Sequence, residues 1–207
     1  MASAVLTYNK NNNNLSKNRI ALKMMLYIGM ASITMFFAVT TSALLVKKAD
    51  GLNWAQFPLP NIFALSSVVA VLSSLAFYFS RRLYLQTKFK AFRAVLALSA
   101  IISIVFLFSQ FMGFKALEAM GLPLTGNVSG SFIYFLAITH GVHIVVGVVV
   151  VFFMWWKSYR ARLDYTYEAQ GKLNPNRVVA LELLTSYWHF VNGLWLYLFL
   201  FFYFIYQ

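Results

Sequence analysis

Side chains that could carry chemistry are few in this 207-residue chain, and most of them lie inside long apolar stretches. The candidates comprise all three histidines, two carboxylates and two amides, namely Gln110, Glu118, His140, His143, Glu182, His189 and Asn192. Histidine is the commonest metal ligand. A polar group in a membrane interior is costly unless protein partners satisfy it. These residue types therefore allow either a haem or metal site, or a hydrogen-bond network between helices.

The spacing of these residues places them on two helix faces. His140 and His143 are three residues apart, so they share one face of a helix. Glu182, His189 and Asn192 are seven and three residues apart, so they share a face of the last helix. A site between helices 4 and 5 would be built from these two faces.

The histidines of the two faces also lie at a similar depth. At about 1.5 Å per residue, His189 lies roughly 18 Å from Arg177, and His143 lies roughly 21 Å from Lys157 along the antiparallel helix. The two histidines could in principle flank one haem, as in a haem b-binding membrane anchor. No cluster offers three or four ligands at one depth, so we predict no metal site and no haem in this chain. We favour a polar network that fixes the packing of helices 4 and 5.

We interpret the two carboxylates, and the amide of helix 3, as structural rather than catalytic residues. Glu182 lies about two turns inside the cytoplasmic end of helix 5, where an intramembrane carboxylate suggests a proton relay. We favour instead a residue that is paired, or hydrated near the interface. Gln110 and Glu118 lie on the outer half of helix 3 and just beyond it. We expect them to pack the helix and to anchor the loop that follows.

The overall composition excludes an ordinary soluble domain. Hydrophobic residues make up 61% of the chain and charged residues only 11%, against about 45–50% and about 25% in soluble proteins. There is no cysteine, which excludes disulfides and thiolate metal sites. The formal charge of +12 would suit nucleic acid, but the charges cluster between apolar segments, as they do in membrane proteins. We therefore expect no nucleic-acid partner.

Five apolar stretches predict an all-α bundle that is integral to a membrane. Each stretch is long enough to cross a bilayer, which takes about 20 residues. The predicted transmembrane helices cover residues 24–46, 61–80, 94–114, 131–156 and 178–206. Residues 1–23 are polar and rich in asparagine, and we interpret them as an arm that is disordered or lies at the surface. The chain is thus divided into this arm (1–23) and a five-helix transmembrane domain (24–207).

The distribution of lysine and arginine predicts the orientation of the bundle. Of the 17 basic residues, 14 lie in the N-terminal arm and in the second and fourth loops. Because cytoplasmic loops carry an excess of lysine and arginine, we predict a cytoplasmic N-terminus and a periplasmic C-terminus. An odd number of spans requires opposite termini, so the helix count and the charge bias agree.

A small transporter is the main alternative from another functional class. Many transporters are built from internal repeats, with helices that glycine or proline interrupts near the midplane. No half-repeat is visible in the five predicted helices, and proline is absent from every helix interior. These features disfavour the transporter.

A segment of the last helix resembles a known family. Residues 187–195 read Tyr-Trp-His-Phe-Val-Asn-Gly-Leu-Trp, which resembles the last-helix signature of subunit III of the haem-copper terminal oxidases. Glu182, seven residues before His189, matches the acidic residue that precedes this signature. Further matches are Leu-Pro-Asn at 59–61, Gln110 followed by Ala-Leu-Glu-Ala-Met-Gly at 116–121, and Thr-His-Gly-Val-His at 139–143.

The resemblance implies a five-helix bacterial form of subunit III in the inner membrane. It implies a complex with oxidase subunits I and II that reduces dioxygen to water and pumps protons. Haem and copper belong to those partners, so subunit III has no catalytic residue and no redox centre of its own. The roles attributed to subunit III are to stabilise subunit I, to support proton uptake and to bind phospholipid.

The resemblance also bears on the electron donor and on two missing charges. The connection between helices 3 and 4 looks like that of the cytochrome oxidase branch, so we favour cytochrome c over a quinol. A respiratory supercomplex is a further partner that the family allows. Asn192 stands where many relatives have aspartate, and Phe36-Phe37 lacks the glutamate found nearby in many members. A proton-related role of that glutamate is therefore not expected here.

We expect reporter fusions to place the C-terminus outside the cytoplasm. A reporter that is active only after export should be active when fused after Gln207, because the charge bias puts that end outside. A cytoplasmic reporter fused at the same position is the control. Activity of that cytoplasmic reporter would contradict the five-span topology.

Overall fold

The structure, a computed structural model, describes the backbone of residues 2–51, 54, 56–124, 128–160 and 173–206. Side chains are described from residue 19 onwards within those ranges. The five helices are α1 Ala2–Asp50, α2 Asn61–Leu85, α3 Phe89–Ala119, α4 Val128–Arg160 and α5 Pro175–Tyr206. These residues contain no strand, so the predicted all-α class is confirmed for the described part of the chain.

Each of the five helices contains a segment that is long and apolar enough to cross a membrane. The segments run from 25 to 33 residues. A rise of about 1.5 Å per residue makes the shortest of them roughly 38 Å long, whereas the hydrocarbon core of a bilayer is about 30 Å thick. The prediction of five transmembrane helices is therefore confirmed by length and composition. The orientation of the termini stays a prediction.

The helices extend beyond the apolar stretches that predicted them. Arg81 and Arg82, which we expected in a loop, lie on α2, and Lys90 and Arg93 lie on α3. Long basic side chains can reach the polar interface from a helix end, so a charge in the sequence does not end the helix. The connection between α2 and α3 is correspondingly short, at residues 86–88.

The structure corrects the prediction for the N-terminal arm and leaves most of the fourth loop undescribed. Because α1 begins at Ala2, the arm is helical and continuous with the first span, where we had expected disorder or a surface segment. Its status as a separate unit stays a prediction. Most of the fourth loop, including Arg162 and Lys172, lies outside the described residues. The same holds for residues 125–127 between α3 and α4.

Four of the helices form a ring. Both α2 and α4 pack on α3 and on α5, and α1 lies outside the ring against α4 and α5. Among the described residues, α1 does not pack on α2 or α3. One side of α5 therefore stays open between α1 and α2.

The core is aromatic and divides into two clusters, each around a tryptophan of α5. Trp195 lies near Phe63 and Phe106, with ring centroids 6.2 and 5.3 Å away. Trp188 lies 4.3 Å from Phe77 in the second cluster, again between ring centroids. Trp188 and Trp195 are also the bulkiest fully buried side chains of the described chain. The segment at 187–195 thus supplies the centre of both clusters.

A glycine lets α4 approach Trp188 closely. A Cβ added at Gly147 would lie 2.5 Å from Trp188 Cζ3 and 3.2 Å from Tyr187 Cε1. A Cβ added at Gly141, six residues earlier on the same helix, would meet its nearest neighbour at 3.9 Å. The α4–α5 contact therefore requires a glycine at position 147 and tolerates a side chain at position 141.

We expect Gly147→Ala to destabilise the bundle and Gly141→Ala to leave it nearly unchanged. The new methyl group at position 147 overlaps the buried ring of Trp188, and overpacking of this kind typically costs about 1–3 kcal/mol. Thermal unfolding of the purified chain in detergent measures the effect, with Gly141→Ala as the matched control. Equal melting temperatures of the two variants would show that α4 and α5 do not approach this closely.

Candidate functional site

Two buried hydrogen bonds hold the last helix to α2. Trp188 donates its Nε1–H to Ser73 Oγ (2.7 Å), and Trp195 donates its Nε1–H to Ser67 Oγ (3.1 Å). The two tryptophans are seven residues apart, so they project from one face of α5. All four side chains are buried. The bonds therefore satisfy polar groups that would be costly if they were unpaired in apolar surroundings.

Serines carry the polar contacts from α2 on to α3. The Oγ atoms of Ser73 and Ser103 lie 3.3 Å apart, and Ser103 donates to the Ser99 carbonyl (2.7 Å). Gln110, which we expected to pack helix 3, donates from Nε2 to Ser66 Oγ (3.0 Å). Gln110 is buried at this interface. Its amide therefore ties α3 to α2.

His140 is fully buried in the centre of the bundle. Its ring centroid lies 5.3 Å from that of Trp195 and 5.9 Å from that of Phe106, which it meets edge to face. Neither ring nitrogen has a hydrogen-bond partner in the described chain. The contribution of His140 to the α3–α4–α5 contact is therefore ring packing, for which edge-to-face contacts are favourable.

His143 makes its hydrogen bond within its own helix. Its Nδ1 lies 2.8 Å from the Thr139 carbonyl oxygen, and because a carbonyl only accepts, Nδ1 carries the proton. The link from this residue to α5 runs through the backbone, where Tyr187 donates its hydroxyl to the His143 carbonyl (2.9 Å). No hydrogen bond joins His143 to His189 in the described structure.

His189 and Asn192 line a groove between α2 and α5. His189 is exposed on the surface of the chain, and its Nδ1 pairs with Ser74 Oγ on α2. Asn192 is only 5% exposed, and its Nδ2 has no hydrogen-bond partner among the described residues. The two residues thus combine polar chemistry with an open, mostly apolar surface.

Glu182 forms an ion pair with the first helix. Lys23 Nζ lies 2.7 Å from Glu182 Oε1, and the two side chains are 41% and 35% exposed. A partly exposed pair of this kind contributes about 1 kcal/mol or less to stability. The pair joins α1 to α5. Glu118 is exposed at the end of α3.

The predicted polar residues do not form one network in the described structure. His140 packs on rings of α3 and α5, and His143 bonds within α4. His189 bonds to α2, and Glu182 pairs with α1. Sequence reasoning missed the serines of α2, with which the polar side chains of α5 bond. A signal for them was present, since Ser67 and Ser74, which bond to Trp195 and His189, are seven residues apart and so share one helix face.

The described part of the chain also contains no group of side chains that could bind a metal ion. No three histidine or carboxylate side chains come close enough there to hold a metal ion. The expectation that the chain binds neither metal nor haem stays a prediction, and its test is spectroscopic.

Comparison with known proteins decides the family. The family model for cytochrome c oxidase subunit III matches residues 3–206, which includes all five helices. The chain belongs to the cytochrome c oxidase subunit III family. The resemblance inferred from the segment at 187–195 is therefore confirmed. Together with the five membrane-length helices, membership of this family indicates a multi-pass membrane protein.

Individual members of the family are similar to the chain at low identity. The chain is 27% identical to cytochrome c oxidase subunit 3 of Schizophyllum commune over 180 residues, which cover 84% of this chain and 62% of the relative. It is 24% identical to the probable cytochrome c oxidase subunit 3 of Mycobacterium tuberculosis over 182 residues, 86% of this chain and 85% of the relative. The match to cytochrome c oxidase subunit 3 of Marchantia polymorpha is 30% over 105 residues, 50% of this chain and 36% of the relative. The chain thus spans less than two thirds of the fungal and plant relatives.

The subunit III signature of this chain coincides with the interhelical contacts of α5. Trp188, His189 and Trp195 bond to serines of α2. Tyr187 bonds to the backbone of α4, and Asn192 faces the groove beside α2. The aromatic and polar residues of the signature therefore join helices or line an open groove.

We expect Ser73→Ala to destabilise the bundle more than Ser32→Ala does. Loss of the Ser73 hydroxyl strands the buried N–H of Trp188, which costs about 1–3 kcal/mol in soluble proteins and averages about 0.6 kcal/mol per interhelical bond in membranes. Ser32 is exposed on α1 and, among the described residues, bonds to the Ile28 carbonyl of its own helix, so it is the matched control. The free energy of unfolding in mixed detergent micelles measures both. Equal values would refute the assigned bond.

Proposed function

We propose that the chain is subunit III of a proton-pumping haem-copper respiratory oxidase, which reduces dioxygen to water in a bacterial inner membrane. In this proposal the haem and copper centres reside in subunits I and II, and this chain takes no catalytic step. The observation that carries the proposal is the match to cytochrome c oxidase subunit III over residues 3–206.

The packing of the bundle supports a stabilising contribution. The signature residues Trp188 and Trp195 donate to serines of α2, and His140 packs between aromatic rings. These contacts hold the helices together. A bundle of this kind suits a subunit that stabilises subunit I.

The basic end of the bundle supports roles in lipid binding and proton uptake. Arg82, Lys88 and Lys90 are exposed where α2 meets α3, and Glu182 lies at the same end, within the electrostatic reach of Arg81. Exposed basic residues attract the anionic headgroups of the cytoplasmic leaflet. We place the binding of phospholipid at this end, next to the side from which subunit I would take up protons.

The electron donor of the complex is proposed to be cytochrome c. The relatives described above carry the name cytochrome c oxidase subunit 3, which supports this choice over a quinol. The donor would bind to another subunit, so the composition of the complex distinguishes the two donors.

Mass spectrometry of the proteins that copurify with the tagged chain in mild detergent tests the proposal. We expect a haem-copper subunit and subunit II at equal stoichiometry, because the family functions as part of an assembly. A cytochrome c domain in the purified complex would support cytochrome c as the donor, and turnover with quinol alone would support the quinol oxidase. Copurification of larger respiratory assemblies would indicate a supercomplex.

Two outcomes would contradict the proposal. One is a purified assembly that contains no haem-copper subunit. The other is a Soret absorbance band of the chain purified alone that disappears in His189→Ala, since that result would favour the haem b-binding anchor. The matched control for this spectrum is Ser32→Ala, which changes only the exposed side of α1.

A further inference from the structure

The two halves of α1 pack differently against the other helices. The buried side chains of its described part are Phe37, Thr41 and Leu44, which all lie towards its C-terminal end. From residue 19 to residue 28 no side chain is buried, and none belongs to either aromatic core cluster. We call residues 19–28 the peripheral segment. The bundle thus holds the C-terminal half of α1 by packing and the peripheral segment hardly at all.

The polar contacts of α1 show the same asymmetry. Towards its C-terminal end, Thr41 Oγ1 lies 3.1 Å from the Tyr197 hydroxyl, and Lys48 donates its Nζ to a backbone carbonyl of α5. In the peripheral segment, the described hydrogen bond to another helix is the ion pair between Lys23 Nζ and Glu182 Oε1, at 2.7 Å. This pair is therefore the main contact that fixes the peripheral segment to α5.

The segment that joins the two halves has features that let a helix bend. Gly29 lacks a side chain, and a Cβ added there would meet no atom within 4 Å, so only backbone bonds restrain it. Ser32 and Thr34 each donate a hydroxyl to the carbonyl four residues earlier, at 3.0 and 2.9 Å. Side-chain bonds of this type compete with the helical bonds and often bend helices. We call residues 29–34 the hinge segment.

The charges around Glu182 reduce the cost of breaking its ion pair. Besides Lys23, the cations near its carboxylate are Arg19 on α1 and Arg81 on α2. Arg81 stays in place when α1 moves, so the carboxylate keeps a cation nearby. The pair is also partly exposed, and such pairs contribute little to stability. A small change in charge is therefore enough to release the peripheral segment.

We propose that the Lys23–Glu182 ion pair is a latch, and that the peripheral segment swings away from α5 at the hinge segment when the pair breaks. Thr34 and Phe37 line a groove of about 530 Å³ between α1 and α5. Because these residues lie in the hinge segment and just beyond it, the movement widens this groove towards the bilayer. The inference uses contacts within this chain alone, so its failure would leave the proposed function untouched.

Distances between pairs of spin labels, measured by double electron–electron resonance, test the latch. The chain has no cysteine, so two introduced cysteines are its only labelling sites. One pair, Ile20→Cys with Leu85→Cys, joins the peripheral segment to the end of α2. The other pair, Val46→Cys with Leu65→Cys, joins the opposite ends of the same helices, and all four positions are exposed. The full-length chain is studied in lipid nanodiscs, together with the subunits that copurify with it.

We expect Lys23→Met to enlarge a second population of distances for the 20–85 pair and to leave the 46–65 pair unchanged. The population should rise by up to about fivefold, as expected for the loss of a partly exposed ion pair. Lys23→Arg retains the cation and should give the wild-type distances. The matched control is Lys47→Met, which removes an exposed ion pair with Asp50 inside α1 and should change neither pair of labels.

A second variant, Gly29→Ala, tests the hinge segment. Its methyl group meets no other atom within 4 Å, and alanine favours a continuous helix over glycine enough to lower the second population of Lys23→Met by about fourfold. Identical 20–85 distances in Lys23→Met and Lys47→Met would overturn the latch. Altered distances for both label pairs in Lys23→Met, or a second population that Gly29→Ala leaves unchanged, would overturn the hinge.

Discussion

The pairing of two tryptophan N–H groups with serines is the constraint on which this bundle depends. Trp188 and Trp195 are the bulkiest buried side chains, and each carries a donor that lipid cannot satisfy. Ser73 and Ser67 accept these bonds on α2. The α2–α5 contact is therefore fixed at two points along the helices, and a shift of one helix along the other would break both bonds.

The rest of the ring follows from the size of the same tryptophans. Helices in lipid gain no hydrophobic energy by meeting each other, so close packing between large and small residues has to hold them together. Gly147 supplies the small residue on α4 that Trp188 requires. Phe77 and Phe106 fill the spaces beside the two tryptophans. The helices α3 and α4 thus complete the ring with α2 and α5.

The hydrogen-bond donors of the last helix differ in whether they have an acceptor. The tryptophans are satisfied inside the ring, whereas Asn192 Nδ2, a buried donor, has no acceptor among the described residues. A satisfied group stabilises the chain, whereas a buried donor without an acceptor carries a cost.

The sequence by itself determined the helical class, the five spans and the family, because hydropathy, length and the signature at 187–195 are properties of contiguous residues. It did not determine the partner of each polar residue. His140 packs on rings, His143 bonds within α4 and Glu182 pairs with α1, where sequence spacing predicted one network between α4 and α5. Spacing shows which residues share a helix face. Which neighbour that face meets depends on the rotation and order of all five helices, and only the packing of the complete bundle decided those.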